Sequence, residues 1–209
     1  MEKTNYINYL NNISSSNYIL NMEQFAKAEN IPVIQKPALD YIIHMIKITK
    51  SKNILEIGTA IGYSAINFAL VRDNIYVTSI ERDEKMYLEA KKNISKANLD
   101  DRIKLIYHDA LDFDDKKLTD NYDLLFIDAA KSKYQLFFEK YAKYVKQNGL
   151  IITDNVLFHD LLFCNNIKNR NTRQLVNKIK KFNEWLKDNK SYDTCYFNIG
   201  DGIAVSIKK

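Results

Sequence analysis

Leu55-Glu56-Ile57-Gly58-Thr59-Ala60-Ile61-Gly62-Tyr63-Ser64 is the stretch that decides the fold. It begins inside a short apolar run, Asn53 to Ile57, breaks at Gly58, and resumes at Gly62 with helical spacing as far as Val71. A strand that turns through glycine into a helix opens an α/β unit, and glycine at that turn lets a ligand approach the backbone. The chain has only five glycines, Gly58, Gly62, Gly149, Gly200 and Gly202. Where glycine is used so sparingly, each one marks a backbone position that other residues fit poorly.

Downstream the pattern alternates. Ile75 to Glu81 reads as strand and Asp83 to Leu99 as amphipathic helix, with Asp83 as its cap. Ile103 to Tyr107 is strand, Tyr122 to Asp128 a buried strand ending in an acid, Lys131 to Gln147 helix, and Gly149 to Asp154 a second strand of that kind. A loop over 155–169 leads to a basic helix over 170–190, and Tyr192 to Ile199 and Ile203 to Ile207 are strands around Gly200-Asp201-Gly202. Strands alternating with helices predict a mainly parallel sheet covered on both faces. The short final connection makes the last pair antiparallel. Upstream, Asn5 to Leu20, Met22 to Glu29 and a segment from Pro37 read as helices. The expected architecture is one domain over 1–209, with N-terminal helices over 1–50 and an α/β core over 51–209.

Composition agrees. The chain has 209 residues, 46% hydrophobic and 27% charged, values of a folded globular protein. No apolar run approaches the roughly 20 residues that span a bilayer. The first residues lack the apolar core of a signal peptide, so the cytoplasm is the expected compartment. Cys164 and Cys195 have no metal-ligand spacing and do not form a disulfide framework. A net charge of +5 permits a polyanionic partner if the basic residues cluster.

The glycine turn has three readings. A dinucleotide site wants G-x-G-x-x-G with a helix N-terminus facing pyrophosphate. Here the spacing is G-x-x-x-G, Ala60 stands where the middle glycine would be, and Glu56 would repel a pyrophosphate. Glu56 suits a cationic ligand such as the amino group of S-adenosylmethionine. Glu81, 23 positions after Gly58, ends the next strand where a carboxylate can meet a ribose. The third reading is a tight turn with no ligand.

Four blocks together carry a resemblance: LEIGTAIGYSA at 55–65, SIERDEK at 79–85, FIDAAKSKY at 126–134 and IITDNVLF at 151–158. The chain resembles the cation-dependent O-methyltransferases of the catechol and caffeoyl-CoA type over most of its length. VLF after Asp154-Asn155, the basic stretch to NEWL at 183–186 and the ending GDGIAVSIKK draw it, within that family, toward the bacterial enzymes that methylate 5-hydroxyuridine in tRNA. The resemblance implies a class I S-adenosylmethionine-dependent methyltransferase (Rossmann-like) fold, a seven-stranded mostly parallel sheet with an antiparallel last strand, and an N-terminal helical arm. It places Ile34, Glu56, Gly58, Tyr63, Ser64, Glu81, Asp109, Ala110 and Asp128 at the cofactor. His108 stands where close relatives often carry glycine. The resemblance also implies a homodimer.

Asp128, Asp154 and Asn155 form an oxygen-only set at neighbouring strand ends, where ligands bind in parallel sheets. Such a set suits Mg²⁺, with the remaining positions kept for water and substrate. The alternative is that both acids merely cap helices. A cation bound to a hydroxyl oxygen lowers its pKa and readies it for methyl transfer. Lys131, three residues after Asp128, occupies the family's catalytic-lysine slot and serves as general base; its other reading is a solvated lysine at a helix start.

For the substrate, Lys168, Arg170 and Arg173 lead a basic run suited to RNA phosphates, where guanidinium groups serve best. Solvated surface lysines are the plainer reading. Tyr134 and Phe158 either stack on a base or pack in the core, and Trp185 reads as core or interface. Three functions stand at this point: a tRNA hydroxyuridine methyltransferase acting on the anticodon loop, the same catalyst on a small vicinal-oxygen phenolic, and a cofactor-binding module without turnover. The full Asp128, Lys131, Asp154, Asn155 set argues against the last.

Overall fold

The computed structural model describes residues 6, 10, 16–119, 121–164 and 166–209. Its elements are helices α1 (Asn17–Ala28), α2 (Lys36–Thr49), α3 (Tyr63–Ala69), α4 (Glu84–Lys96), α5 (Tyr134–Tyr141) and α6 (Arg170–Asp188), and strands β1 (Asn53–Ile57), β2 (Tyr76–Glu81), β3 (Ile103–Tyr107), β4 (Tyr122–Ile127), β5 (Val145–Thr153), β6 (Tyr192–Phe197) and β7 (Ile203–Lys208). The strands form one sheet in the order β3-β2-β1-β4-β5-β7-β6. The pairs from β3 to β5 are parallel, and β7 runs antiparallel to both of its neighbours. This is the seven-stranded, mostly parallel sheet expected of a class I methyltransferase.

The order reverses at β1, with β2 on one side and β4 on the other. At such a switch point the connections leave in opposite directions and open a crevice beyond the strand ends. Strand β1 is buried on both faces. Ile54 belongs to the cluster packed with α2, α3 and α4, while Leu55 and Ile57 belong to the cluster packed with α5 and α6. That two-sided burial explains why the run reads as continuously apolar.

Two sequence readings are corrected. The break near residue 21 does not exist: α1 runs unbroken from Asn17 to Ala28, capped by Ser16, whose hydroxyl accepts from the Ile19 N–H. Of the region read as helix before that, Tyr6 and Leu10 are helical and the rest lies outside the described residues. Helices α1 and α2 pack onto the core. Ile19, Met22, Ile42 and Ile46 are buried in the same cluster as Ile54 and Phe126 of the sheet.

The second correction concerns Lys131 to Gln147. Lys131–Lys133 is a 3₁₀ turn, α5 follows, and a second 3₁₀ turn ends at Tyr144. Val145 to Gln147 already belong to β5, with Val145 paired to Tyr122. Between that pair and Leu124–Leu150 the register shifts, and β5 spends five residues where β4 spends two. Asn148, at φ 61°, lies within this bulge. A Cβ on Gly149 would come 2.6 Å from Val145 Cγ1. Charged Lys146 and the exposed bulge hid the strand start from its periodicity.

Helix α6 buries Val176, Ile179, Phe182 and Leu186 and is capped by Asn169. Trp185, partly buried, packs against the core, edge-on to Phe138 and stacked on Phe182. Both cysteines are free and exposed. No helix among the described residues is long and apolar enough to cross a membrane.

Candidate functional site

The crevice above β1 and β4 is a cavity of about 480 Å³. Its lining brings together Ile34, Gly58, Tyr63, Ser64, Glu81, Asp109, Ala110, Asp128, Lys131 and Asn155 from the residues singled out in the sequence. Arg82, His108, Phe137 and His159 line it as well. Glu56 and Asp154 lie just behind the wall, each 1% exposed or less.

At one end, Gly58 has φ +96°, and a Cβ there would sit 2.1 Å from the Asp128 carbonyl oxygen. The turn is thus pressed against the end of β4, and a side chain is excluded by both conformation and space. Ala60, in the middle-glycine position, also takes a left-handed φ of 46°. The turn is fixed by Glu81. One carboxylate oxygen receives the N–H groups of Thr59 at 3.1 Å and Ala60 at 2.9 Å. The other receives those of Arg82 at 2.9 Å and Asp83 at 2.8 Å. The residue assigned to a ribose therefore also anchors the glycine turn, and a sugar hydroxyl would share its oxygens with the backbone.

Glu56 does not face the cavity. Its carboxylate receives the hydroxyls of Ser64 and Ser79, so its charge reaches the lining through Ser64. Full burial pushes its pKa up to about 7, against the pull of those two hydroxyls. Tyr63 extends from the turn toward α1, where its hydroxyl donates to Glu23 at 2.5 Å. Asp109 receives the Leu111 N–H at 2.9 Å and pairs with Arg82 at 3.3 Å. The Leu111 N–H first, and Arg82 after it, hold the Asp109 carboxyl below its usual range. Ala110 turns its carbonyl to the Tyr141 hydroxyl at 2.5 Å. His108 lines the cavity beside them, its ring edge-on to Phe113.

The other end is acidic. Ile127 and Thr153 are register partners, so Asp128 and Asp154 leave neighbouring parallel strands side by side, at a strand spacing of about 4.8 Å. The ladder continues through them: the Asp154 N–H reaches the Ile127 carbonyl and the Asp128 N–H that of Ile57. Burial, and then the charge of Asp128, push the Asp154 carboxyl up. Burial pushes Asp128 up too, with Lys131 opposing. Among the described residues no protein donor reaches the Asp128 carboxylate. That of Asp154 receives only the Asn155 N–H, at 2.7 Å. Lys131 Nζ donates to Asn155 Oδ1 at 2.6 Å.

The described residues contain no group of three His, Cys, Asp or Glu side chains able to hold a metal. The candidate donor set is instead two carboxylates and the Asn155 amide oxygen. One buried and one half-buried carboxylate, Asp154 and Asp128, mutually repelling and with few donors, fit a small hard divalent cation. The helix-capping alternative fails for both acids, since neither side chain caps α5 or α6.

Several assignments shift. Tyr134 is 1% exposed and donates its hydroxyl to the Asp154 carbonyl at 2.9 Å, so it packs rather than stacks on a ligand. Phe158 packs on the small cluster around Val176. Lys168, Arg170 and Arg173 are exposed and do not line the cavity. The sequence reading missed Asp201. It is 6% exposed and receives the Asn155 side-chain N–H at 3.3 Å. Its only sequence signal was an acid between two of five glycines.

Comparison with known proteins agrees with this geometry. A Staphylococcus aureus crystal structure of a candidate caffeoyl-CoA O-methyltransferase superposes with a TM-score of 0.91 at 40% identity, covering 99% of this chain and 97% of that one. The Bacillus cereus O-methyltransferase in complex with SAH gives 0.83 at 25% identity, covering 98% and 96%. The tapetum-specific methyltransferase 1 of Arabidopsis thaliana is 32% identical over 79% of this chain and 73% of its own length. A catechol O-methyltransferase of Niastella koreensis is 30% identical over 78% and 76%. The family model described as O-methyltransferase matches residues 14–209. With nearly its whole length matched and its strand ends gathered on one cavity, the chain belongs to the O-methyltransferase family.

Proposed function

We propose that the chain is a cytoplasmic, homodimeric, S-adenosylmethionine- and Mg²⁺-dependent O-methyltransferase that converts 5-hydroxyuridine to 5-methoxyuridine at wobble position 34 of tRNA. The observation that carries the catalytic part is the single cavity: the glycine turn, Glu81 and Asp109 share one lining with Asp128, Lys131 and Asn155. The homodimer rests on the family resemblance alone.

When bound, the donor supplies an electrophilic methyl group and the cation supplies Lewis-acid stabilisation of a developing oxyanion. The rest is done by the chain's own side chains. Glu81 and Asp109 hold the adenosyl part, and Ser64, backed by the Glu56 charge, holds the ammonium end. Asp128, Asp154 and Asn155 Oδ1 hold the cation. Lys131, at the same end, takes the proton from the substrate hydroxyl as general base. In 5-hydroxyuridine the 5-hydroxyl and the 4-carbonyl offer the two vicinal oxygens such a site wants.

The tRNA part draws on the resemblance and on α6. Lys168, Arg170, Arg173, Lys178, Lys180 and Lys181 are exposed on or just before it, and none forms an ion pair among the described residues. An unneutralised basic face suits phosphates. A wobble base sits in a single-stranded loop and enters a pocket at low cost.

A second reading, a free catechol-like substrate, is favoured by the names of the relatives themselves. Nucleoside mass spectrometry of tRNA from a deletion strain separates the two. Accumulation of 5-hydroxyuridine with loss of 5-methoxyuridine is expected. Unchanged 5-methoxyuridine refutes the tRNA assignment, and methylation of catechol but not of hydroxyuridine tRNA by the purified protein supports the second reading.

A further inference from the structure

We propose that Asp201 is a positioning residue: it orients the Asn155 amide with Oδ1 toward the cavity, and so sets how tightly the acidic end holds a divalent cation. The cation part rests on the function proposed above; the orientation part does not.

The two ends of an amide have nearly the same shape, so its neighbours decide which way it points. Here the neighbours are unambiguous. A lysine ammonium only donates and a carboxylate only accepts. Asn155 therefore turns Oδ1 to Lys131 at 2.6 Å and Nδ2 to Asp201 Oδ2 at 3.3 Å. The other Asp201 oxygen receives the backbone N–H of His159, whose ring nitrogen lies 3.5 Å from Oδ2.

Asp201 is itself clamped. The Leu157 N–H reaches the Asp201 carbonyl at 3.0 Å and the Val156 N–H reaches that of Gly202 at 3.0 Å. A Cβ on Gly202, at φ +79°, would lie 2.3 Å from Leu157 Cγ. The turn between β6 and β7 is thus locked onto the segment that carries Asn155. In that segment Asn155, Phe158, His159 and Asp160 all adopt left-handed φ values, 54°, 48°, 54° and 58°. Such conformations persist only where surrounding contacts over-determine them. The carboxylate of Asp201 supplies two of those contacts, one to the amide and one to His159.

Asp201→Asn tests this with a change of one heavy atom. Two N–H donors converge on the side chain, and the substituted amide offers only one accepting end. Turning the Asn155 amide over relieves the conflict but points Nδ2 into the cavity. The expected result is a Mn²⁺ dissociation constant about tenfold higher by calorimetry on the donor-free protein, as when a group that orients a metal ligand is lost. Binding of S-adenosylhomocysteine stays within twofold and reports an intact fold. Unchanged Mn²⁺ affinity in the folded variant overturns the proposal. A measurement on the wild-type chain guards against a variant that fails to fold. In the metal-free protein, NMR should find an Asn155 side-chain amide proton exchanging at least tenfold more slowly than a free amide. Exchange at the free rate overturns the orientation whatever the variant does. A wild-type protein that binds no Mn²⁺ refutes the cation reading above, and the NMR result still decides the amide.

Discussion

The two ends of the cavity are built on opposite principles. At the glycine turn every carboxylate is answered from within the chain: Glu81 by four backbone N–H groups, Glu56 by two hydroxyls. At the acidic end, 128–155, two carboxylates leave neighbouring strand ends with one backbone N–H and one nearby lysine. The first end is rigid and internally satisfied, which suits repeated binding of one small molecule in one pose. The second holds excess negative charge on one buried and one half-buried carboxylate, which costs stability unless a cation shares it. Under the proposed function, the contrast separates holding a donor from activating an acceptor.

Asp154→Asn should break that contrast most sharply. Losing one carboxylate from the acidic end removes several kcal/mol of charge stabilisation, so kcat/KM should fall about a thousandfold and lose its response to Mg²⁺ and chelators. Calorimetry should find donor binding little changed. The same substitution removes the buried one of two repelling charges, so the metal-free variant should melt at a higher temperature than the wild type. Retained, chelator-insensitive activity would show that the two ends do not divide the work.

Glu56→Gln probes the other end. A carboxyl whose pKa rises from 4.5 to about 7 on folding binds its proton more tightly in the folded state. Its stabilising contribution is complete below pH 4.5 and is lost as pH rises through about 7. The difference corresponds to about 3 kcal/mol. The wild type should therefore lose stability across that window in urea titrations, and Glu56→Gln should flatten this dependence. At pH 8 the variant should be the more stable protein, yet bind S-adenosylmethionine several-fold more weakly, because the charge behind Ser64 is gone. Parallel pH profiles for the two proteins would contradict the burial argument.

The smallest effect lies outside both ends. Arg170→Ala with Arg173→Ala should raise KM for tRNA several-fold, with the difference shrinking as salt is raised, and leave kcat near wild type. A loss confined to kcat would place these arginines with the chemistry instead.

Much of this was legible before the fold. The glycine turn, the acids ending two strands and the lysine three residues after Asp128 are local patterns, and local patterns survive in a linear reading. Asp83 as a helix cap belongs with them: its side chain accepts from the Met86 N–H at 3.0 Å. The start of β5 was not legible, because a bulge at Asn148 interrupts the alternation on which strand recognition depends.

What the sequence determined by itself was the alternation of strands and helices, the switch from glycine turn to helix, and the residue types able to hold a methyl donor and a hard cation. Tertiary structure alone decided that Glu56 sits behind Ser64, that Glu81, expected at a ribose, also anchors the glycine turn, and that Asp201 meets Asn155 across 46 positions of chain. Periodicity and capping report only on neighbours within a turn or two. Pairings over longer separations depend on how the sheet brings distant segments together.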